Sequence, residues 1–304
     1  MQNIVLAATI LVIGIIISSI SPVFLSARNL MNIMLQISVL GTVAAGMSIV
    51  MISGGIDLSV GSLISFVGSM TALMIRGGVS EPLAVMVVLL IAIATSAVSG
   101  LIIARSRAEP FIITLGLMSI YNGLALLITR GNNVGLSSKF EFLGRGRLLG
   151  VIPIPVIVLL VINVVIAYLL KYLKLGRRMY SIGGNAEACY LAGIRVKTTK
   201  VFIYAMNGFI TGIAAMVLLS RLGSASPIMG NGFEMQSIAA CVIGGISLSG
   251  GSGKVLGSFL GVLLLGVISN SFNIVGVPSF FQNIFLGLVI IVAVVISQFK
   301  FRWQ

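Results

Sequence analysis

Gly54-Gly55-Ile56-Asp57-Leu58-Ser59-Val60-Gly61-Ser62 returns 190 residues later as Gly244-Gly245-Ile246-Ser247-Leu248-Ser249-Gly250-Gly251-Ser252, with seven of nine positions identical. Each copy directly follows an apolar segment, so two hydrophobic segments are interrupted in matching ways. Broken helices at corresponding positions point to a solute path through a membrane, because lipid cannot satisfy the polar groups of unwound backbone. The expected broken ends are Gly54, Gly55, Asp57 and Ser59 in the first copy and Gly244, Gly245, Ser247 and Ser249 in the second.

Composition sets the solvent. With 58% hydrophobic residues, 8% charged residues and no histidine, the chain cannot present the skin of a soluble domain, where about a quarter of residues are charged. Apolar windows near the roughly 20 residues a span needs recur at about 4–20, 33–53, 58–75, 83–103, 111–128, 151–170, 202–220, 236–249, 255–273 and 282–299. The expected fold is an all-α membrane protein of about ten transmembrane helices, eight to ten of them full crossings, in one domain over residues 1–304. Segment 236–249 is too short to span as helix, and the segment after Gly55 carries Asp57 at its start, so both are expected to be re-entrant or kinked. The net charge of +13 is scattered among the spans and forms no nucleic-acid stripe; it suits anionic lipid.

Orientation follows from charge. The connector 171–200 carries Lys171, Lys174, Arg177, Arg178, Arg195, Lys197 and Lys200 against one acid, Glu187, which places it in the cytoplasm. Counting spans outward puts both termini in the cytoplasm and makes the two Gly-rich copies a parallel repeat. The same count puts the connector from Arg130 to Gly150 outside, although Arg130, Lys139, Arg145 and Arg147 there oppose the usual bias. Within 171–200 the chain reads as an extended basic stretch followed by a short helix: Asn185 can cap it, Glu187 suits its positive end and Gly193 can close it. Ala188, Leu191, Ala192 and Ile194 would give that helix an exposed apolar face in need of a partner.

Asp57 is the one acid read here as embedded among spans, and a carboxylate there must pair, meet backbone N–H groups or face water; capping the next helix is the simplest use. Gly208/Gly212 and Gly257/Gly261 have ordinary helix-packing spacings. Gly-Gly-Ser-Gly-Lys254 lacks the first glycine and the final Ser or Thr of a phosphate loop. Without histidine no Ser/His/Asp set exists, and no zinc spacing is present, so an enzyme and a metal site are both disfavoured. Cys189 and Cys241 are expected to be free thiols.

The chain resembles the ribose, xylose and galactoside type permeases of bacterial ATP-driven importers. The resemblance rests on Asn29-Leu30-x-Asn32-Ile33, Gly46-Met47, the stretch Ser53 to Ser62, Leu175-Gly176-Arg177, Gly183-Gly184-Asn185, Gly193-Ile194, Arg221-Leu222-x-Ser224-Ala225-x-Pro227, the second repeat and Gly276-Val277-x-Ser279, in that order. It implies a helical permease of the bacterial cytoplasmic membrane that pairs with a second permease copy or paralogue and with two cytosolic ABC ATPase domains. A periplasmic or lipid-anchored sugar-binding protein would deliver the solute. No cofactor is expected on this chain, ATP with Mg belonging to the partner ATPase. The resemblance also assigns Asn185, Ala186, Glu187, Ala188, Leu191, Ala192 and Gly193 as the ATPase-coupling helix. Arg130, Lys139, Arg145, Arg147 and Arg221 become candidates to meet acidic lobes of the binding protein. Two rival classes are an ion- or proton-coupled secondary transporter, which usually needs more intramembrane carboxylates, and a non-transporting membrane scaffold.

Overall fold

A computed structural model describes residues 2–106, 108–136, 140–278, 280–282, 284–285, 287–289 and 291. Twelve helices follow in chain order: α1 (Gln2–Ile20), α2 (Ala27–Ile52), α3 (Val60–Arg76), α4 (Glu81–Arg105), α5 (Pro110–Thr129), α6 (Phe142–Arg145), α7 (Ile154–Tyr172), α8 (Lys174–Gly184), α9 (Ala186–Leu191), α10 (Val196–Leu222), α11 (Phe233–Ile243) and α12 (Val255–Val275). A further short apolar helix covers Phe280–Val289. Seven of the helices are long and apolar enough to cross a membrane, and α3, α11 and Phe280–Val289 are shorter apolar helices. Nine of the ten expected segments, up to 255–273, recur as helices of an all-α, multi-pass fold. Most of the tenth, 282–299, and the C-terminal Lys300 and Arg302 lie outside the described residues.

Helix α2 is the axis of the bundle. Its residues from Ile37 to Ile52 are all buried, as expected for a helix that is apolar or small all the way round. Ser26 caps its start, accepting the Asn29 N–H at 3.2 Å. Outer helices behave oppositely: α1 leaves most of its apolar side chains exposed and α5 leaves six, Phe111, Ile112, Leu115, Ile120, Leu126 and Leu127, the surface that lipid covers. Because lipid offers no hydrophobic drive between helices, close backbone approach and buried polar pairs hold the bundle. Asn29 and Asn270 exchange two amide hydrogen bonds at 2.9 and 3.0 Å, and Ser48 donates to Ser258 at 2.8 Å, both pairs tying α2 to α12. Gly208 and Gly212 let α10 lie against Ala92, Ser96 and Leu89 of α4. Gly257 and Gly261 bring α12 onto the Gly244 and Ala240 carbonyls at the end of α11. Both glycine pairs are thus packing spacings, as expected.

Helix α10 separates two ends of the molecule. Its 27 residues span roughly 40 Å, enough to cross a bilayer. At its start, α9 leads into it through the turn at Gly193. At its end, β1 (Val134–Gly135) pairs antiparallel with β4 (Ser224–Ala225), and Gly144 of α6 packs on the Ser220 and Arg221 backbone. A second ribbon pairs β2 (Arg147–Leu148) with β3 (Ile152–Pro153). The connector from Arg130 to Gly150 therefore lies at the opposite end of α10 from α9.

Candidate functional site

Both Gly-rich copies are helix C-termini of one design. At the end of α2, Gly54 takes φ +79, its N–H reaching Met51 O at 2.9 Å while Gly55 N–H reaches Val50 O at 3.0 Å. At the end of α11, Gly245 takes φ +86, its N–H reaching Val242 O at 2.9 Å while Ile246 N–H reaches Cys241 O at 2.9 Å. Each is a Schellman closure, in which a left-handed residue satisfies the last carbonyls of a helix. The structural equivalence is Gly54 with Gly245, one position off the sequence repeat, which pairs Gly54 with Gly244. Gly244 instead caps α11 with right-handed geometry.

After these closures the copies diverge, and each is held in its own way. In the first, Asp57 is buried and closes the loop before α3: its Oδ1 accepts from Ser59 N–H at 2.9 Å and Ser59 Oγ at 2.6 Å, and its Oδ2 accepts from Asn207 Nδ2 of α10 at 2.9 Å. Thr114 of α5 donates to Ile56 O at 3.3 Å and accepts from Leu58 N–H at 3.1 Å. Tyr204 Oη also reaches Ile56 O, at 3.4 Å. Asp57 therefore serves a backbone N–H just ahead of the helix, as a local Asx turn. In the second copy the loop from Ile246 to Lys254 is longer, with Gly250, Gly251 and Gly253 at positive φ. Ser247 N–H reaches Ser252 O at 3.2 Å, and Ser249 N–H reaches Ser247 Oγ at 3.2 Å.

The two copies meet. Gly251 N–H donates to Ile52 O, the last carbonyl of α2, at 2.9 Å. Since Phe233 and Gln236 lie by Gln36, and Cys241 Sγ lies 3.5 Å from Ala44 O, α2 and α11 reach this point running in the same direction, the parallel relation expected. The third party is the end of α8. A methyl on Gly183 would collide with Ile52 O and Gly251 N, and one on Gly250 would strike the Gly54 backbone. Tyr180 Oη of α8 donates to Gly253 O at 2.8 Å. Gly54, Gly183, Gly250 and Gly251 thus form a backbone junction in which the last three have no room for a side chain.

Helix α8 departs from the sequence expectation of an extended basic connector over its residues. The stretch folds because Gly176, Met179 and Ile182 share one buried face while Arg177, Arg178 and Ser181 point outward, an amphipathic period that charge density conceals. Helix α9 follows at once and is built as expected. Asn185 Oδ1 accepts from Ala188 N–H at 2.8 Å, Glu187 lies in the first turn, and Gly193 at φ +79 ends it, with Ile194 N–H on Cys189 O at 3.0 Å. Ala186 is half-buried, Ala188, Ala192 and Leu191 are exposed, the last 80% so, and Ile194 is half-buried rather than open. Cys189 faces inward, and both cysteines are free.

At the far end of α10 the basic residues are not equivalent. Arg145 pairs with Glu141 at 2.9 Å and also donates to Arg221 O at 3.4 Å. Arg221 is half-buried and donates to Leu35 O of α2 at 3.0 Å. Arg130 and Arg147 are exposed. Lys139 lies outside the described residues. One acid escaped the sequence analysis: Glu234, in the first turn of α11, accepts from Gly232 N–H at 3.1 Å while its buried Oε2 lies against Gly61 without a hydrogen-bond partner among the described residues. Asp57 is therefore not the sole acid among the spans. The signal for Glu234 was present, two residues before the segment that apolarity marked.

Over residues 29–294 the chain matches the family described as the branched-chain amino acid transport system / permease component. The chain belongs to this permease family. Among curated proteins, the permease is 39% identical over 292 residues to the ribose import permease protein RbsC of Bacillus subtilis, covering 95% of this chain and 90% of that protein. It is 36% identical over 290 residues to the D-allose transport system permease protein AlsC of Escherichia coli, covering 94% and 89%. It is also 34% identical over 280 residues to the L-arabinose ABC transporter permease protein AraH of Azospirillum brasilense, covering 92% and 82%. No solved structure matches the permease.

Proposed function

We propose that this permease is the membrane subunit of a bacterial ATP-driven importer that moves a monosaccharide across the cytoplasmic membrane. The observation that carries the reading is the continuity of α9 with the glycine junction. An exposed apolar helix of six residues is joined, through α8, to the junction where the loops after both interrupted helices meet. A partner seated on α9 can therefore act on both broken ends at once, which is what an ATPase driving a permease must do.

In this reading α9 with its flanking residues, from Asn185 to Gly193, lies in the cytoplasm, where the basic residues of 171–200 keep it. Two ABC ATPase domains bind ATP with Mg, one docking on this α9 and the other on that of a second permease copy or paralogue. The opposite end, carrying Arg130 and Arg147, receives a periplasmic or lipid-anchored sugar-binding protein. The broken ends at Gly54, Gly55, Asp57 and Ser59 and at Gly244, Gly245, Ser247 and Ser249 border or gate the path. Asp57 is committed to three hydrogen bonds that close a loop, which suits structure better than proton coupling.

Affinity purification of the tagged permease from its native membrane tests the assembly. An ATPase subunit and a solute-binding protein are expected to co-purify, and reconstitution of those components should give ATP-dependent uptake of a sugar. Uptake that runs on a proton or sodium gradient without ATP would overturn the proposal.

A further inference from the structure

The family description names amino acids, whereas the curated relatives above carry sugar names. The permease's own interior bears on the choice. A half-open cavity of about 210 Å³ lies between α2, the first turn of α11, α12 and the helix Phe280–Val289. It sits one residue along α2 from Leu35, whose carbonyl receives Arg221, so it lies toward the end of the molecule opposite α9. The cavity is small beside the roughly 300–1,000 Å³ of pockets for drug-sized ligands.

Its lining sets carboxamides and a hydroxyl among aromatic and aliphatic side chains, with no charged residue among the described residues that line it. Gln36, Gln236, Ser269 and Gln282 supply the polar groups, and Phe233 and Phe272 two of the rings. Gln36 donates to Ser269 Oγ at 3.3 Å, and Ser269 in turn donates to Gln282 Oε1 at 3.5 Å. The Gln236 carboxamide has no hydrogen-bond partner among the described residues. Carboxamides both donate and accept, as the hydroxyls of a polyol do. An α-amino acid would bring an ammonium and a carboxylate, which are costly to desolvate unpaired. The carboxylate could otherwise use the positive end of α11, a helix that starts within the bundle, but the Glu234 carboxyl already occupies that turn and accepts the Gly232 N–H.

We infer that this cavity is a transit subsite for an uncharged, polyhydroxylated solute of monosaccharide size, and that it excludes zwitterionic amino acids. The inference rests on the importer proposed above. It is tested in the complete complex with its binding protein, using D-ribose, D-allose, L-arabinose and L-leucine as probes. The parent is expected to import at least one sugar and no leucine. Gln36→Leu with Gln236→Leu should lower maximal sugar uptake about tenfold, the loss of hydrogen bonds from two carboxamides, with the complex still assembling. A Ser269→Cys variant should transport until a membrane-impermeant thiol reagent is added on the face opposite α9, and then stop; the buried Cys189 and Cys241 keep the background low. Sugar uptake unchanged in the double variant, or surviving the reagent, overturns the cavity assignment and leaves the importer standing. A parent that moves none of the sugars overturns both.

Discussion

Asp57 concentrates the residue-scale physics of this permease. Its two oxygens accept three hydrogen bonds, from Ser59 N–H, Ser59 Oγ and Asn207 Nδ2, so its role is that of an acceptor. Asn207 Oδ1 is buried without a hydrogen-bond partner among the described residues, which gives a mutation test its asymmetry. In Asp57→Asn the new carbonyl can still accept from Ser59, and a flipped Asn207 amide can accept from the new N–H₂ group. Asp57→Leu leaves the Ser59 N–H and the Asn207 amide unpaired, at roughly 1–3 kcal/mol for each buried group. Thermal unfolding of the purified complex should show Asn close to the parent and Leu clearly destabilised, with uptake following the same order. An Asn variant that folds normally but transports nothing would show that the charge itself is needed. Gly183 offers a second test. Its missing side chain lets Ile52 O and Gly251 N approach, so Gly183→Ala must open the junction, at about 1–3 kcal/mol for overpacking. Its uptake should fall while Gly184→Ala, at a position with open space around it, stays near the parent.

At the scale of elements, α8 and α9 form one continuous link between the glycine junction and the surface. Met179 and Ile182 anchor α8 in the protein, Tyr180 holds the second repeat through Gly253 O, and α9 leaves from the same end with its apolar side chains outward. Ala188→Trp and Ala192→Trp add bulk to exposed positions of α9 without touching the core. These variants should reach the membrane at normal levels yet lose most coupled uptake, with ATP hydrolysis no longer answering to loaded binding protein. Normal coupling in both would remove α9 as the ATPase contact.

The whole molecule has two chemically distinct ends, joined by α10. The Arg130 to Gly150 end divides its arginines by job. Arg145 is paired with Glu141 and Arg221 holds Leu35 O, whereas Arg130 and Arg147 are exposed. Rim charges chiefly steer encounter. Arg130→Glu with Arg147→Glu should therefore slow association of the binding protein, by about tenfold at low salt, and the deficit should shrink as salt rises. Surface plasmon resonance on nanodisc-embedded complex measures both arms. Arg221→Ala should act differently, lowering stability through the lost tie to α2 with little dependence on salt.

Local chemistry alone determined the membrane class, the ten apolar segments, the broken ends and the capped helix over Ala186–Leu191. Hydropathy, a glycine at a left-handed closure and an Asn cap act within a few residues of themselves and are legible in order along the chain. Tertiary structure decided what those signals do together. The one-residue shift that pairs Gly54 with Gly245, the folding of α8 on Met179 and Ile182, the meeting of Gly54, Gly183 and Gly251, and the burial of Glu234 against Gly61 all join residues far apart in sequence. Even the cavity beside Gln36 needs Gln236 and Ser269 brought to it across the bundle. Such contacts depend on how closely backbones approach, which small residues permit but do not specify; the partner across the gap is chosen only when the bundle closes.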